Sequence, residues 1–372
     1  MSKTIYHLLV AGLVLTLGPA RGGEPTPKLL GANSCASSGC HGGGGATQNQ
    51  VLVWSLKDFH SQRPPATLAT ARSKQIADAL EIKAATTDAR CTACHAPLNS
   101  VPENQRGEFF KVSEGVTCES CHGPAENWIR SHTRHDWTRA DRTTAGMRDL
   151  QNLYVRANTC VACHQNVNTD ILKAGHPELI FELDGQSVAE PKHWSAEKNG
   201  NGAQAWLVGQ AVALREMSWD LAIRQVPNEK ELNRWLGLVW VLQKLDGLNF
   251  DLPKLGKSPA PAEAKDFAAT KEFADTLAQA AAAAVWTEGN SQRALQILSS
   301  SSEDFKNVSG EVGARRAERL VLALDRLLAA QNNHKADAEL NQLFKLAQSI
   351  PDFDAKQFAV ALDKFATALA TP

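Results

Sequence analysis

Long apolar runs, an excess of positive charge and late cysteines are all missing from this chain of 372 residues. Beyond residue 20 no stretch combines the length and apolarity of a membrane span, and the alanine run 280–284 favours a helix rather than a lipid face. Lys and Arg number 39 against 40 Asp and Glu, a formal net charge of −1 that disfavours nucleic acid or another polyanion as partner. The run Gly42-Gly43-Gly44-Gly45 has no Lys or Ser/Thr in register to cradle a phosphate, and it reads as a flexible loop. No repeat matches a known solenoid period. No cysteine follows Cys163, so all eight lie in the first half.

Those eight cysteines form four pairs, each followed by histidine. Cys91-Thr92-Ala93-Cys94-His95, Cys118-Glu119-Ser120-Cys121-His122 and Cys160-Val161-Ala162-Cys163-His164 share one spacing. Cys35-Ala36-Ser37-Ser38-Gly39-Cys40-His41 has four residues between its thiols. Two thiols so spaced can add to the vinyl groups of a haem, with the next imidazole as proximal iron ligand. Exported cysteine pairs could instead form disulfides, and paired CxxC units could bind zinc. Neither needs a histidine after every second cysteine in a chain with only 11 His. Four covalently bound haem c groups are therefore expected on Cys35, Cys40, Cys91, Cys94, Cys118, Cys121, Cys160 and Cys163, with His41, His95, His122 and His164 as proximal ligands.

Residues 1–22 carry Lys3, an apolar run from Ile5 to Leu17 and the small-residue end Gly18-Pro19-Ala20, the pattern of a Sec signal peptide. Haem attachment in bacteria is completed outside the cytoplasmic membrane, so export and the four motifs agree on a periplasmic location. A retained anchor is the competing reading, and no cysteine at the cleavage point suggests a lipoprotein.

The fold expected is mainly α. Residues 27–200 form a tetrahaem domain of short helices and long loops, with the macrocycles supplying apolar mass that the protein lacks; residues 68–84 carry its clearest helical stripe. Residues 202–248 read as a helical hairpin packed on that domain, with Asn228 and Glu231 resembling a capping box. The Pro-rich stretch 249–261 reads as a linker. Residues 262–372 read as a helical bundle, with core stripes Ala317, Leu320, Leu324, Leu327 and Phe358, Leu362, Phe365, Leu369.

A haem with two strong protein ligands passes electrons, whereas an open face can bind a substrate. Distal candidates are His60, at the end of the apolar run 51–59; His132 and His135, of which one is expected to be used; His176, before the stiffening Pro177; and His193, beside Trp194. His334, between Asn333 and Lys335, reads as a solvated turn. Of the methionines, Met217 reads as core and Met147 is the minor alternative. Arg130, Arg134, Arg139 and Arg142 read either as a solvated face or as partners of haem propionates. Trp54, Trp128, Trp137 and Trp194 read as porphyrin-edge or plain core packing.

Taken together, residues 30–194 resemble the multihaem c-type cytochromes related to the tetrahaem acceptor of electrons from hydroxylamine oxidoreductase. The resemblance rests most on residues 115–124, Gly-Val-Thr-Cys-Glu-Ser-Cys-His-Gly-Pro, then on residues 54–60 and on Gly175-His176-Pro177 with Phe181-Glu182. It implies haems stacked in close pairs, mostly bis-His irons, and one haem that can lack a sixth ligand. The CxxxxCH spacing and the cysteine-free second half depart from that pattern.

The expected function is electron transfer through four haems between redox partner proteins, such as a membrane quinol oxidoreductase or another multihaem cytochrome. A carrier rather than an enzyme is expected. The alternative is reduction of a small nitrogen or sulfur oxyanion at one five-coordinate haem, with Arg134, His135 or Lys173 guiding substrate.

Overall fold

The first half of the chain builds almost no apolar core from its own side chains. In the computed structural model, which describes residues 26–194, 201–224, 228–248, 252–255, 264–308, 310–350 and 352–370, its own cluster is Leu68, Ala77, Ala85 and Ala96, flanked by Ile82 and Cys91. The expected signal peptide, 1–22, and most of the expected linker, 249–261, lie outside the described residues. Helices here are short: α1 (Gln50–Lys57), α2 (Phe59–Thr67), α3 (Ala71–Ala79), α4 (Ala89–His95), α5 (Cys118–His122), α6 (Arg139–Thr144), α7 (Leu153–His164), α8 (Thr169–Lys173) and α9 (Leu183–Ala189). Most start on a side-chain cap, for example Asp58 on α2, Thr70 on α3, Asp88 on α4 and Asn152 on α7. The helix expected over 68–84 is shorter, because Thr70 caps α3 and Glu81 enters positive φ at 54°.

Pro64 and Pro65 lie in the interior of α2. Neither proline has an N–H, so the carbonyls of His60 and Ser61 go unused by the helix. They accept from Val116 N at 2.8 Å and Gly115 N at 3.0 Å. The glycine is required, since a Cβ there would lie 2.4 Å from the His60 oxygen. The two prolines thus turn one end of α2 into an edge that binds the loop leading into Cys118.

The second half is helical throughout its described residues: α10 (Gly202–Ile223), α11 (Glu229–Lys244), α12 (Ala264–Ala283), α13 (Glu288–Ser299), α14 (Glu303–Lys306), α15 (Gly310–Ala330), α16 (Asp337–Ala347) and α17 (Ala355–Ala370). Asn228 caps α11 by accepting from Glu231 N at 2.9 Å. α10 packs along α12, α7 and α9, and α11 along α15. α10 buries residues on nearly every side, including Trp206, Leu207, Val208 and Leu214, so it is a central helix. Gly209 permits its contact with α9; a Cβ would meet the Leu183 Cβ at 2.7 Å. Both expected stripes are buried, except that Leu369 is only partly so. One continuous core runs from Ala157 and Val161 through Phe181 to Phe365, so the second half is built onto α7 and the segment beyond it.

That segment, 178–182, is clamped by charge. Glu178 pairs with Lys230 at 2.7 Å and Arg315 at 2.9 Å, Arg234 donates to Leu179 O at 2.5 Å, and the wholly buried Arg319 donates to Gln210 Oε1 at 3.2 Å. Among the described residues no strand forms beyond a single bridge between Leu29 and Arg106, and no helix is long and apolar enough to cross a membrane.

Candidate haem sites

Three of the four CxxCH-type motifs end a helix or constitute one: α4 ends at His95, α5 is Cys118–His122, and α7 ends at His164. Three-residue spacing on a helix puts both thiols on one face. The first motif does this without an α-helix. Its four-residue spacer folds into turns, with Cys40 N donating to Ser37 O at 2.9 Å and His41 N to Cys35 O at 3.2 Å. The glycine run after it is held by Gly43 N donating to Gln48 O at 2.7 Å.

All eight cysteines are free thiols, so no disulfide competes for them. The Cys35 thiol lies beside that of Cys118, and the Cys94 thiol beside that of Cys163. Motifs one and three therefore meet, as do two and four. Burial pushes the Cys121 thiol up to about 12 and Cys160 up to about 11, so neither is a ready thiolate ligand for zinc. Among the described residues the one group of three metal-type ligand atoms within 4.8 Å of one another is Asp58, Glu190 and His193, without a cysteine.

The histidines are arranged in cross-chain pairs. His41 faces His132 with ring centroids 6.1 Å apart, His60 faces His164 at 6.1 Å, and His95 faces His176 at 6.3 Å. An iron with a nitrogen about 2 Å away on either side would set two imidazole centroids about 6 Å apart. Each pair joins a motif histidine to one far from it in sequence. The outer nitrogens are occupied: Nδ1–H donates to Gln50 Oε1 from His41 (3.0 Å), to Ile129 O from His132 (2.8 Å), to Pro64 O from His95 (3.2 Å), to Pro177 O from His176 (2.8 Å) and to Asp58 Oδ1 from His60 (3.0 Å). This leaves Nε2 of these rings as the free donor atom, the tautomer a metal-ligating histidine needs. The thiols, ring spacing and tautomers all fit a covalent haem with two axial imidazoles.

His122 is the motif histidine outside these ring pairs. Its Nδ1 is buried without a partner, and burial, then the neighbouring His193, His41, Arg148 and His132, pull its pKa down to about 4. His193 is half-buried, with Nδ1 3.1 Å from Pro191 O, and stacks edge-on with Trp194. His135 is exposed. His334 is exposed too and bonds Asp337 at 3.1 Å, and Met217 is core. Arg134 and Arg139 pair with Asp136 and Asp149, while Arg142 donates to His132 O at 3.0 Å and so braces that ring's backbone. Trp54 donates to Val116 O at 2.9 Å, and Trp128 packs edge-on against His132.

The sequence reading passed over Glu119, Gln50 and Asp58. Glu119, inside the third motif and only 3 % exposed, accepts from Leu30 N (2.8 Å), Gly31 N (2.7 Å) and Ala125 N (2.8 Å), tying the N-terminal segment to this motif. The available signal was an acidic residue in the interior of an otherwise small-residue motif.

Paired thiols followed by histidine, with a second imidazole opposite, are the arrangement by which c-type cytochromes hold haem. In agreement, residues 34–123 match the family model described as cytochrome c554 and c-prime, and this match supports a protein that carries covalently bound haem c and transfers electrons. The matched region contains the first three motifs, including the CxxxxCH one, and stops short of the fourth. No curated protein and no solved structure matches the chain.

Proposed function

We propose that this chain is a periplasmic tetrahaem cytochrome c that passes single electrons between redox partner proteins. The observation that carries the reading is the set of three imidazole pairs at 6.1–6.3 Å, each joining a motif histidine to a remote one. Bound haem c supplies a one-electron iron couple. His41 and His132 would hold one iron, His95 and His176 a second, and His164 and His60 a third. His122 would hold the fourth, with His193 as the available partner. The thiol contacts between motifs one and three, and between two and four, support two close haem pairs. Periplasmic location rests on the signal-like segment 1–22. His135 is left to solvent.

Haem content of the purified chain, together with the spin state of the oxidised irons, tests this reading. Four haems per chain with low-spin irons are expected; fewer than four would overturn it.

A second reading draws on His122, whose ring stands outside the three pairs. If its iron kept an open face, reduction of a small nitrogen or sulfur oxyanion there would become chemically accessible. Arg134 is engaged by Asp136, which weakens its role as a substrate guide. Nitric oxide binding to one haem of the oxidised protein would favour this reading, and its failure to bind would favour the carrier.

A further inference from the structure

Among the rings proposed to hold iron, six have an assigned Nδ1 acceptor and five of these use a neutral one: Gln50 Oε1 for His41, and backbone carbonyls for His95, His132, His176 and His193. Of these six, only His60 donates to a carboxylate, Asp58 Oδ1 at 3.0 Å, and that side chain is 4 % exposed. Glu190 stands in the same cluster, its ligand atom within 4.8 Å of those of Asp58 and His193. The charged groups facing this ring are thus Asp58 and Glu190 with His193 beside them, and Arg156 farther out near Glu190. A buried anion on the outer nitrogen makes the imidazole more electron-donating, and a low local dielectric preserves the effect. Electron donation favours the oxidised, more positive iron.

We propose that Asp58 is a positioning residue that lowers the reduction potential of the haem held by His60 and His164, making it the lowest of the four. The proposal rests on the tetrahaem reading above. Its logic is local: Asp58 is also the N-cap of α2, accepting from His60 N at 2.9 Å, so one side chain fixes both the helix start and the ring. The other five proposed ligand rings donate to acceptors without charge, and the carboxylate nearest His193, Glu190 Oε1, stands off at 3.9 Å.

The test is redox potentiometry on the four-haem holoprotein and its Asp58→Asn variant. Asparagine caps a helix as well as aspartate and keeps an acceptor oxygen, but carries no charge. One midpoint, the lowest, should rise by roughly tenfold in the reduction equilibrium, about 59 mV for one electron, while the other three move much less. Glu190→Gln, which removes a nearby charge that does not bond the ring, should shift it less. Independently of folding in the Asn variant, His60→Met should change the lowest of the four wild-type midpoints. The proposal is overturned if no midpoint moves in Asp58→Asn, if Glu190→Gln moves it equally, or if His60→Met alters a higher one. A wild-type chain with fewer than four haems would instead refute the tetrahaem reading, a result visible before any midpoint is compared.

Discussion

Glu119 bonds three main-chain N–H groups from segments 88 residues upstream and six downstream. Replacing it by alanine would strand these donors, at about 1–3 kcal/mol for each one that stays buried. Glu119→Ala should therefore unfold at lower denaturant by roughly 2–4 kcal/mol in the holoprotein, read by chemical denaturation, whereas an exposed glutamate such as Glu108 should matter little. Glu182 acts in the opposite sense. Burial raises its carboxyl from 4.5 to about 7 despite bonds from Asp184 N and Gly185 N. The folded state then holds a proton that the unfolded state releases, so this group's contribution is full below about 4.5 and is lost as pH rises toward about 7. Thermal melts should show stability falling across that window, and Glu182→Gln should flatten the fall. The neighbouring Asp184, also shifted upward by burial, would leave a smaller slope of the same sign.

At the level of elements, the paired prolines of α2 do something a turn signal does not suggest. They free two carbonyls that bind the backbone at Gly115 and Val116, while Pro64 O also accepts from His95. Pro64→Ala with Pro65→Ala would let α2 close its own i to i−4 bonds in competition with that loop. Faster amide hydrogen exchange at Gly115 and Val116 is the expected result; unchanged protection would show the loop to be held by other contacts. The four Cys-pair-His motifs and the long helices α10, α11 and α15 were legible in the sequence, because spacing and 3.6-residue periodicity are local signals. The roles of Pro64, Pro65, Glu119 and Asp58 were not, because each depends on a partner or a buried setting that only the tertiary fold supplies. The candidate distal histidines stand between these cases: their number could be counted, but which ring faces which depends on how distant loops meet.

On the scale of the molecule, the two halves are stabilised differently. The second half shares one continuous core with α7 and the segment beyond it, from Ala157 to Phe365, whereas the rest of the first half has a small cluster of Leu68, Ala77, Ala85 and Ala96. An apolar macrocycle at each attachment motif would supply the missing mass. Chain produced without haem attachment should be cut readily by protease between about residues 30 and 150 while a helical fragment from α10 onward resists; uniform resistance would contradict this division. The second half also fixes the segment after His176 through Glu178, Lys230, Arg234 and Arg315. It therefore acts on the position of His176, one of the proposed haem ligands.

The central claim is that four covalent haems are held by histidine on both faces. Its most direct test is low-temperature electron paramagnetic resonance of the fully oxidised protein, with spins counted against haem content. The account predicts four haems per chain and low-spin signals that integrate to all four. A high-spin signal from one iron, or a count below four, would contradict it.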